Sequence, residues 1–149
     1  MILYRFAKDI YSHDISGAGS KKWGGRWNSP GFPVVYASFT ISLSLLELLV
    51  YHSSYEEIRV NRLMQIKVPD SSIYPLSAAS LKANWQSDID YCRFIGNEFL
   101  LNKKFLLLKV PSAIIPDEFN VMINPAHTVF NKVSIISAKI FEFDGRLLK

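Results

Sequence analysis

Segments of β-type pattern stand at both ends of this sequence and enclose segments of helical pattern, and this arrangement restricts the fold more than any other feature. Runs of β-branched and aromatic residues predict strands, and apolar residues three and four positions apart predict helices. Strands that bracket helices indicate a mixed α+β fold. The expected strands are 4–6, 33–37, 58–68, 105–110 (ended by Pro111) and a pair within 133–143; the expected helices are 40–52, 91–102 and one that opens within 76–82.

The length of 149 residues fits one domain, which we expect to span 1–149. Because 49% of the residues are hydrophobic, such a domain can bury a sizeable core without disulfides or metals. Cys92 is the only cysteine, so no intramolecular disulfide can form, which fits a reducing compartment. We find no secretory signature and no apolar run long enough to span a membrane. We therefore expect a cytoplasmic protein with no membrane partner.

The basic residues are scattered along the chain, although the formal net charge is +4. The densest cluster is only Lys21-Lys22 with Arg26, and no basic stripe of the kind that binds a phosphate backbone is present. We therefore expect no direct nucleic-acid contact; a mildly positive field equally favours an anionic small molecule or an acidic protein. The three histidines have no partner at metal-ligand spacing, so we expect no metal site.

The segment Trp23-Gly24-Gly25-Arg26-Trp27-Asn28 lies in a stretch, 16–33, that is rich in turn-forming residues. Paired glycines let the backbone turn tightly and expose amide groups, and an arginine beside them suits a phosphate or carboxylate. The spacing matches neither a Walker A loop nor a Rossmann glycine motif. A surface turn with the arginine stacked on tryptophan is the alternative.

Glu47 interrupts the apolar run Leu45-Leu46-Glu47-Leu48-Leu49-Val50. On a helix its neighbours three and four positions away form a mostly apolar face, and glutamate is rarely buried there unless it is paired or functional. The alternative is a capping box, Ser44-x-x-Glu47, which would place the side chain in a first turn. Tyr36, at the end of a short strand, and Ser112, just after another, are ordinary residues when each is considered alone.

Taken in order, several segments resemble the RES domain, a family named for its arginine, glutamate and serine. Each segment is short, but the ordered series covers nearly the whole chain and is fairly specific. The segments are Tyr4-Arg5, Gly24-Gly25-Arg26-Trp27-Asn28, Val35-Tyr36-Ala37-Ser38, Leu46-Glu47-Leu48, Val110-Pro111-Ser112-Ala113, Asn124-Pro125-Ala126-His127 and Phe143-Asp144-Gly145-Arg146-Leu147.

The resemblance implies a toxin of a bacterial toxin–antitoxin pair, inhibited by an antitoxin with an Xre-like helix-turn-helix domain. It implies a fold similar to ADP-ribosyltransferase toxins, a split mixed β-sheet with flanking helices, and a homodimer within the toxin–antitoxin complex is compatible with it. The implied activity is cleavage of the nicotinamide–ribose bond of NAD⁺, by hydrolysis or by phosphorolysis. NAD⁺ is then a substrate, inorganic phosphate a co-substrate of the second reaction, and no cofactor is required.

By position in the motifs, the implied catalytic residues are Arg26, Tyr36 and Glu47, and the implied NAD⁺-binding residues are Arg26, Tyr36 and Ser112. Arg5 is a second candidate phosphate contact, or else an ion-pair partner of a carboxylate such as Asp144. A carboxylate beside the ribose would stabilise the positive charge that develops there.

Two features depart from the family pattern: a short segment between Glu47 and Ser112, and Gly145 in the closing motif. Such departures either alter the rim of the cleft or indicate a minimal or degenerate member of the family. Two other functions stay open: ADP-ribosyl transfer to a cellular protein on the same scaffold, and a non-catalytic module that binds nucleic acid or protein.

Overall fold

A computed structural model of the protein describes residues 1–148 and contains one seven-stranded mixed β-sheet with flanking helices. The strand order is β4-β5-β6-β2-β1-β3-β7, and every neighbouring pair is antiparallel except the parallel pair β4 and β5. The predicted α+β class is thus confirmed. The strands are β1 (Ile2–Lys8), β2 (Val35–Ser38), β3 (Asn61–Lys67), β4 (Ile73–Pro75), β5 (Leu107–Pro111), β6 (Phe119–Ile123) and β7 (Ser134–Ile140).

The sheet divides into two halves at the contact between β1 and β2. Those two strands share a single register pair, Tyr4↔Ser38, whereas β1 and β3 are paired along their whole length. β2 in turn pairs with β6 from Val35↔Ile123 to Ser38↔Asn120. The strands of the two halves therefore diverge beside Ser38, which leaves room for a cleft.

Helices cover the sheet, and side-chain caps begin the two longest of them. Thr40 accepts a hydrogen bond from the backbone N–H of Leu43 at 3.1 Å, and Asp88 accepts one from Tyr91 at 3.0 Å. No helix within 1–148 is both long and apolar enough to cross a membrane. The helices are α1 (Ala18–Trp23), α2 (Ile41–Leu49), α3 (Tyr55–Ile58) and α4 (Ile89–Asn102).

The apolar side chains form three clusters. The first lies along the middle strands and includes Met64 and Ile123, both fully buried. The second joins α4 to the segment before β2 through residues such as Trp27. Here α4 approaches so closely that a Cβ on Gly96 would collide with the carbonyl oxygen of Trp27. The third cluster packs α2 against β1 and the C-terminal segment, around Phe6.

Most of the predicted elements are confirmed, namely the strands at 4–6, 33–37 and 105–110 and the helices at 40–52 and 91–102. The strand predicted at 58–68 begins only at residue 61, because the capped turn α3 contains Ile58. The pair predicted within 133–143 is wrong: the segment is one strand paired with β3. Residues 76–82 contain only a short 3₁₀ turn, Ala78–Ser80.

Four of these helices and strands were not predicted: α1, β4, β6 and α3, the last of which lies just before the strand β3. The first is short and contains a glycine, a weak helix former, and the second is a three-residue edge strand. β6 begins with Phe119-Asn120, which interrupts an apolar pattern, and it is stabilised by pairing with a strand on each side. Pro111 is the last residue of β5, so the strand ends where the proline was expected to end it. Long-range pairing, which a local pattern does not reveal, accounts for β4 and β6.

Candidate functional site

A cavity of about 380 Å³ opens where the two halves of the sheet diverge. Its walls come from β1, β2, α2 and the glycine–arginine loop, residues 24–28. The volume lies near the lower end of the range for small-molecule sites. Of the five predicted site residues, Arg5, Arg26, Tyr36 and Glu47 line this cavity, although the chain separates the first from the last by much of its N-terminal third.

Glu47 points into the cavity from the second half of α2. The helix begins at Ile41 with Thr40 as its N-cap, so the capping-box alternative for Glu47 is wrong. Glu47 Oε1 accepts hydrogen bonds from Ser112 Oγ at 2.9 Å and from Asn120 Nδ2 at 2.5 Å. Within residues 1–148 the carboxylate has no ion-pair partner, and Oε2 accepts no hydrogen bond. One oxygen is therefore held by the protein, and the other is left for a ligand.

Ser112 is fully buried and lies behind Glu47, while its neighbours Pro111 and Ala113 line the cavity. Its hydroxyl donates to Glu47 and accepts from the backbone N–H groups of Ile114 and Ile115, at 3.1 and 3.2 Å. A hydroxyl offers one donor and two acceptor positions, so all three are occupied. In this arrangement Ser112 positions the carboxylate and has no hydrogen bond left to offer a ligand.

The glycine–arginine loop does not present free glycine amides, and the expectation that it would is wrong. The N–H of Gly24 donates to the carbonyl of Ser20 at 2.8 Å, and that of Gly25 donates to Asn28 at 3.0 Å. The first bond ends α1 and the second closes the loop. The left-handed φ of 74° at Gly24 makes this turn possible and favours glycine there.

Two contacts hold the Arg26 side chain in place. Its Nη1 donates to the carbonyl of Gln86 at 2.7 Å, and its guanidinium carbon lies 6.0 Å from the ring centre of Trp85. The alternative of a surface turn with the arginine stacked on tryptophan is thus correct about the contact with a tryptophan ring. It is wrong about the surface position, since the loop lines a cavity. A guanidinium has five N–H donors, so this hydrogen bond leaves others for a ligand.

Tyr36 fastens the loop to β2. Its hydroxyl donates to Asn28 Oδ1 at 2.6 Å and accepts from the N–H of Trp27 at 3.1 Å. Burial raises the pKa of Tyr36 well above the usual value of 10.0, so the phenol stays protonated. A side chain on Gly25 would collide with the Tyr36 ring, which explains a glycine at this position.

Arg5 is half-buried on β1, and its Nη1 donates to the carbonyl of Tyr36 at 2.9 Å. Burial lowers the pKa of Arg5, and the charge of Asp14 opposes this. The alternative pairing with Asp144 is wrong, because Asp144 forms an ion pair with Arg146 at 2.8 Å. Gly145, beside this pair, does not line the cavity, so this departure does not alter its rim.

Three residues of the site were not predicted from the sequence. Asn120 donates to Glu47, and the Nε of Arg93 donates to the carbonyl of Gly25 at 2.9 Å. His52 lines the cavity with its Nδ1 placed 2.9 Å from the carbonyl of Leu48, so this nitrogen has to carry the proton when the ring is neutral. No local motif marks Asn120 or Arg93, because their partners lie 73 and 68 positions away along the chain, and the i−4 contact of His52 is an ordinary helical one.

The cavity thus contains one carboxylate, that of Glu47, and two guanidinium groups, those of Arg5 and Arg26. Such a set can bind an anionic group and stabilise a developing positive charge. In the part of the chain that the structure describes, no three His, Cys, Asp or Glu side chains come together in a way that could hold a metal ion.

Comparison with known proteins adds a family and several relatives. The model of the RES domain family matches residues 2–144. A protein named Toxin Res from Photorhabdus laumondii is 36% identical over 153 residues, which covers 100% of this chain and 98% of that protein. Another Toxin Res, from Yersinia enterocolitica, is 35% identical and covers 99% of both chains. A protein named Prs ADP-ribosylating toxin, from a Sphingobium strain, is 32% identical over 98% of this chain and 96% of its own length.

Proposed function

The chain belongs to the RES domain family, and on that basis we propose that it is a toxin that consumes NAD⁺ by cleaving the bond between nicotinamide and ribose. One observation carries the proposal. A single carboxylate, Glu47, is held by two hydrogen bonds in a cavity that also contains Arg5 and Arg26. This set of charges complements NAD⁺, which carries an anionic pyrophosphate and develops positive charge on the ribose as nicotinamide leaves.

The guanidinium groups would bind the pyrophosphate. Arg26 retains free N–H donors beside its bond to Gln86, and such donors form strong charge-assisted bonds with phosphate oxygens. Arg5, already anchored on the Tyr36 carbonyl, would supply the second cation. Because both are fixed before the ligand arrives, little side-chain entropy is lost on binding.

Glu47 would act on the ribose. As the C1′–N bond breaks, its electron pair leaves with neutral nicotinamide, and the ribose becomes an oxocarbenium-like cation. The free Oε2 of Glu47 would stabilise that charge, directly or through a ribose hydroxyl, and the partly water-excluded cavity strengthens the interaction. Nicotinamide leaves without needing a proton, so neither a metal nor a strong general acid is required.

The acceptor then decides the product. Water gives ADP-ribose and releases a proton, whereas inorganic phosphate gives ADP-ribose 1″-phosphate. Purified protein, freed of any copurifying inhibitor, should release nicotinamide from NAD⁺, and adding phosphate should change the second product if phosphorolysis operates. Folded protein that releases no nicotinamide under either condition would disprove the proposal.

ADP-ribosyl transfer to a protein is the second candidate, favoured by the name of the Sphingobium relative. Both reactions share the cleavage step and differ only in the group that attacks the ribose. Incubation with NAD⁺ labelled in the adenylate and a bacterial lysate separates them. Label that becomes attached to a protein supports transfer, and label found only in small molecules supports NAD⁺ depletion.

We further propose that an antitoxin controls this activity, since the relatives are named as toxins of the same family. The family resemblance favours a partner with an Xre-like helix-turn-helix domain. Expression of the chain alone should arrest bacterial growth, and coexpression of such a protein encoded beside it should restore growth. A complex that purifies intact yet still releases nicotinamide at the full rate would contradict this role.

A further inference from the structure

We propose that Asn120 and Ser38 are positioning residues that hold the Glu47 carboxylate in its reactive orientation; this inference rests on the proposed function. The sequence assigned neither residue a role, although Ser38 belongs to one of the segments that resemble the RES domain. The three side chains form a continuous chain of hydrogen bonds from Ser38 through Asn120 to Glu47, which we call the Ser–Asn–Glu relay.

The chemistry of the relay determines its direction. A carboxylate accepts hydrogen bonds and donates none, so the NH₂ group of Asn120 has to face Glu47 Oε1, at 2.5 Å. The amide oxygen of Asn120 then faces Ser38, whose hydroxyl donates to it at 2.6 Å. Each polar atom along this line therefore has a suitable partner, and reversing the amide would place two acceptors together at the carboxylate.

The relay lies where the two halves of the sheet meet, beside the cavity. Ser38 pairs with Tyr4 of β1 on one side and with Asn120 of β6 on the other, at the single register pair that joins the two halves of the sheet. Cross-strand neighbours of this kind have their side chains on the same face. The relay thus links α2 to β6 and β2 beside the junction of the two halves of the sheet, and Ser38, Asn120 and Glu47 all line the cavity.

The relay works together with Ser112, which binds the same carboxylate oxygen. Two donors on Oε1 fix the rotation of the carboxylate and leave Oε2 to face the ligand. Loss of one donor should let the group rotate and misplace Oε2. Small misplacements of a reacting group lower rates by factors on the order of 10².

The test compares Asn120→Ala, the isosteric Asn120→Asp and Ser38→Ala in nicotinamide release. We expect kcat to fall on the order of 10²-fold for both Asn120 variants, with the KM for NAD⁺ nearly unchanged, because the contact of Oε2 strengthens mainly as positive charge develops in the transition state. Ser38→Ala should lower kcat less, since Asn120 keeps its contact with Glu47. Asn61→Ala is the matched control: Asn61 is also a buried amide, bonded to the carbonyl of Ile58 at 2.9 Å, but it does not line the cavity. That variant should lower the melting temperature and leave kcat as it is.

A folded Asn120→Asp protein with the kcat of the unmodified protein would overturn the inference, as would an equal rise in KM for both Asn120 variants with no change in kcat. A second measurement does not depend on activity. The side-chain amide protons of Asn120 should shift upfield in NMR spectra of Glu47→Gln, because a neutral amide is a weaker acceptor than a carboxylate. If these resonances do not move, the relay is wrong. If they move but the unmodified protein releases no nicotinamide, the proposed function fails and the contact itself stands.

Discussion

The glycine–arginine loop and helix α2 face the same cavity, but different kinds of contact hold them. The loop is fastened mainly through its backbone: Tyr36 and Arg93 bind its amide and carbonyl groups, and α4 packs against it at Gly96. In α2 the backbone is an ordinary capped helix, and the Glu47 carboxylate is held by Ser112, just after β5, and by Asn120 of β6. Substitutions that remove contacts of the loop should therefore lower the free energy of unfolding. Substitutions around Glu47 should instead lower the rate of nicotinamide release more than they lower the free energy of unfolding.

Glu47→Gln should have the largest effect, and it should lower the rate of nicotinamide release without lowering the stability of the fold. The substitution keeps the shape and removes the charge, so we expect nicotinamide release to fall by about 10³-fold, comparable to the loss of a strong electrostatic contact in other enzymes. Glu98→Gln, an exposed change on α4, is the control and should keep the full rate. A Glu47→Gln protein that melts normally and keeps its rate would remove Glu47 from the chemistry.

Gly96→Ala should lower the stability of the protein, because it disturbs the packing of α4 against the glycine–arginine loop. The added methyl group meets the Trp27 carbonyl, a backbone atom that cannot rotate away, so we expect a loss of about 3 kcal/mol in the free energy of unfolding. Gly19→Ala in α1 meets no atom within 4 Å and should instead stabilise the protein by about 0.5–1 kcal/mol. Denaturant unfolding measures both changes; equal stabilities would show that α4 does not support the loop.

Arg26→Lys tests whether ligand binding needs the several N–H donors of a guanidinium at this position or only a positive charge. Lysine keeps the charge but cannot bond Gln86 and a phosphate in the same planar geometry, so we expect affinity for ADP-ribose to fall by about tenfold, roughly 1.4 kcal/mol. Calorimetric titration measures this. Arg59→Lys, in an exposed pair with Glu56, should bind as the unmodified protein does. Unchanged affinity in Arg26→Lys would mean that charge alone suffices.

Tyr36→Phe should destabilise the loop by about 1–3 kcal/mol, because it leaves the Trp27 N–H and the Asn28 side chain without their partner. Thermal unfolding gives the measurement. Tyr74→Phe, at an exposed tyrosine, should change little. If the two substitutions have the same effect, the phenol does not fasten the loop.

The smallest effect is expected from alkaline pH. Burial raises the pKa of Tyr36 above the value of 10.0 in the unfolded chain, so above pH 10 the unfolded state loses this proton first. Stability from Tyr36 is therefore complete below pH 10 and falls above it, by up to about 1.4 kcal/mol per pH unit. Tyr36→Phe should show a shallower decline than the unmodified protein over that range, and identical slopes would contradict the assignment.

Local patterns predicted a large part of this protein. Apolar periodicity predicted α2 and α4, and runs of β-branched and aromatic residues predicted β1, β2 and β5. Glu47 was singled out as a charge within an apolar run, and Arg26 as an arginine that follows two glycines. Tyr36 and Ser112 came only from the ordered resemblance to the RES domain. These predictions succeed because they depend on neighbours within a few positions along the chain.

The tertiary structure alone determined which groups these residues contact. The bonds to Glu47 join residues 65 and 73 positions apart, so no local pattern could assign Ser112 to positioning or bring Asn120 into the site. In the same way, Arg26 is anchored because folding brings the carbonyl of Gln86, 60 positions along the chain, beside it. The sequence by itself determined which chemical groups are present and on which elements they lie; the divergence of the two sheet halves determined which of them meet, since hydrogen bonds require contact in space whatever the separation along the chain.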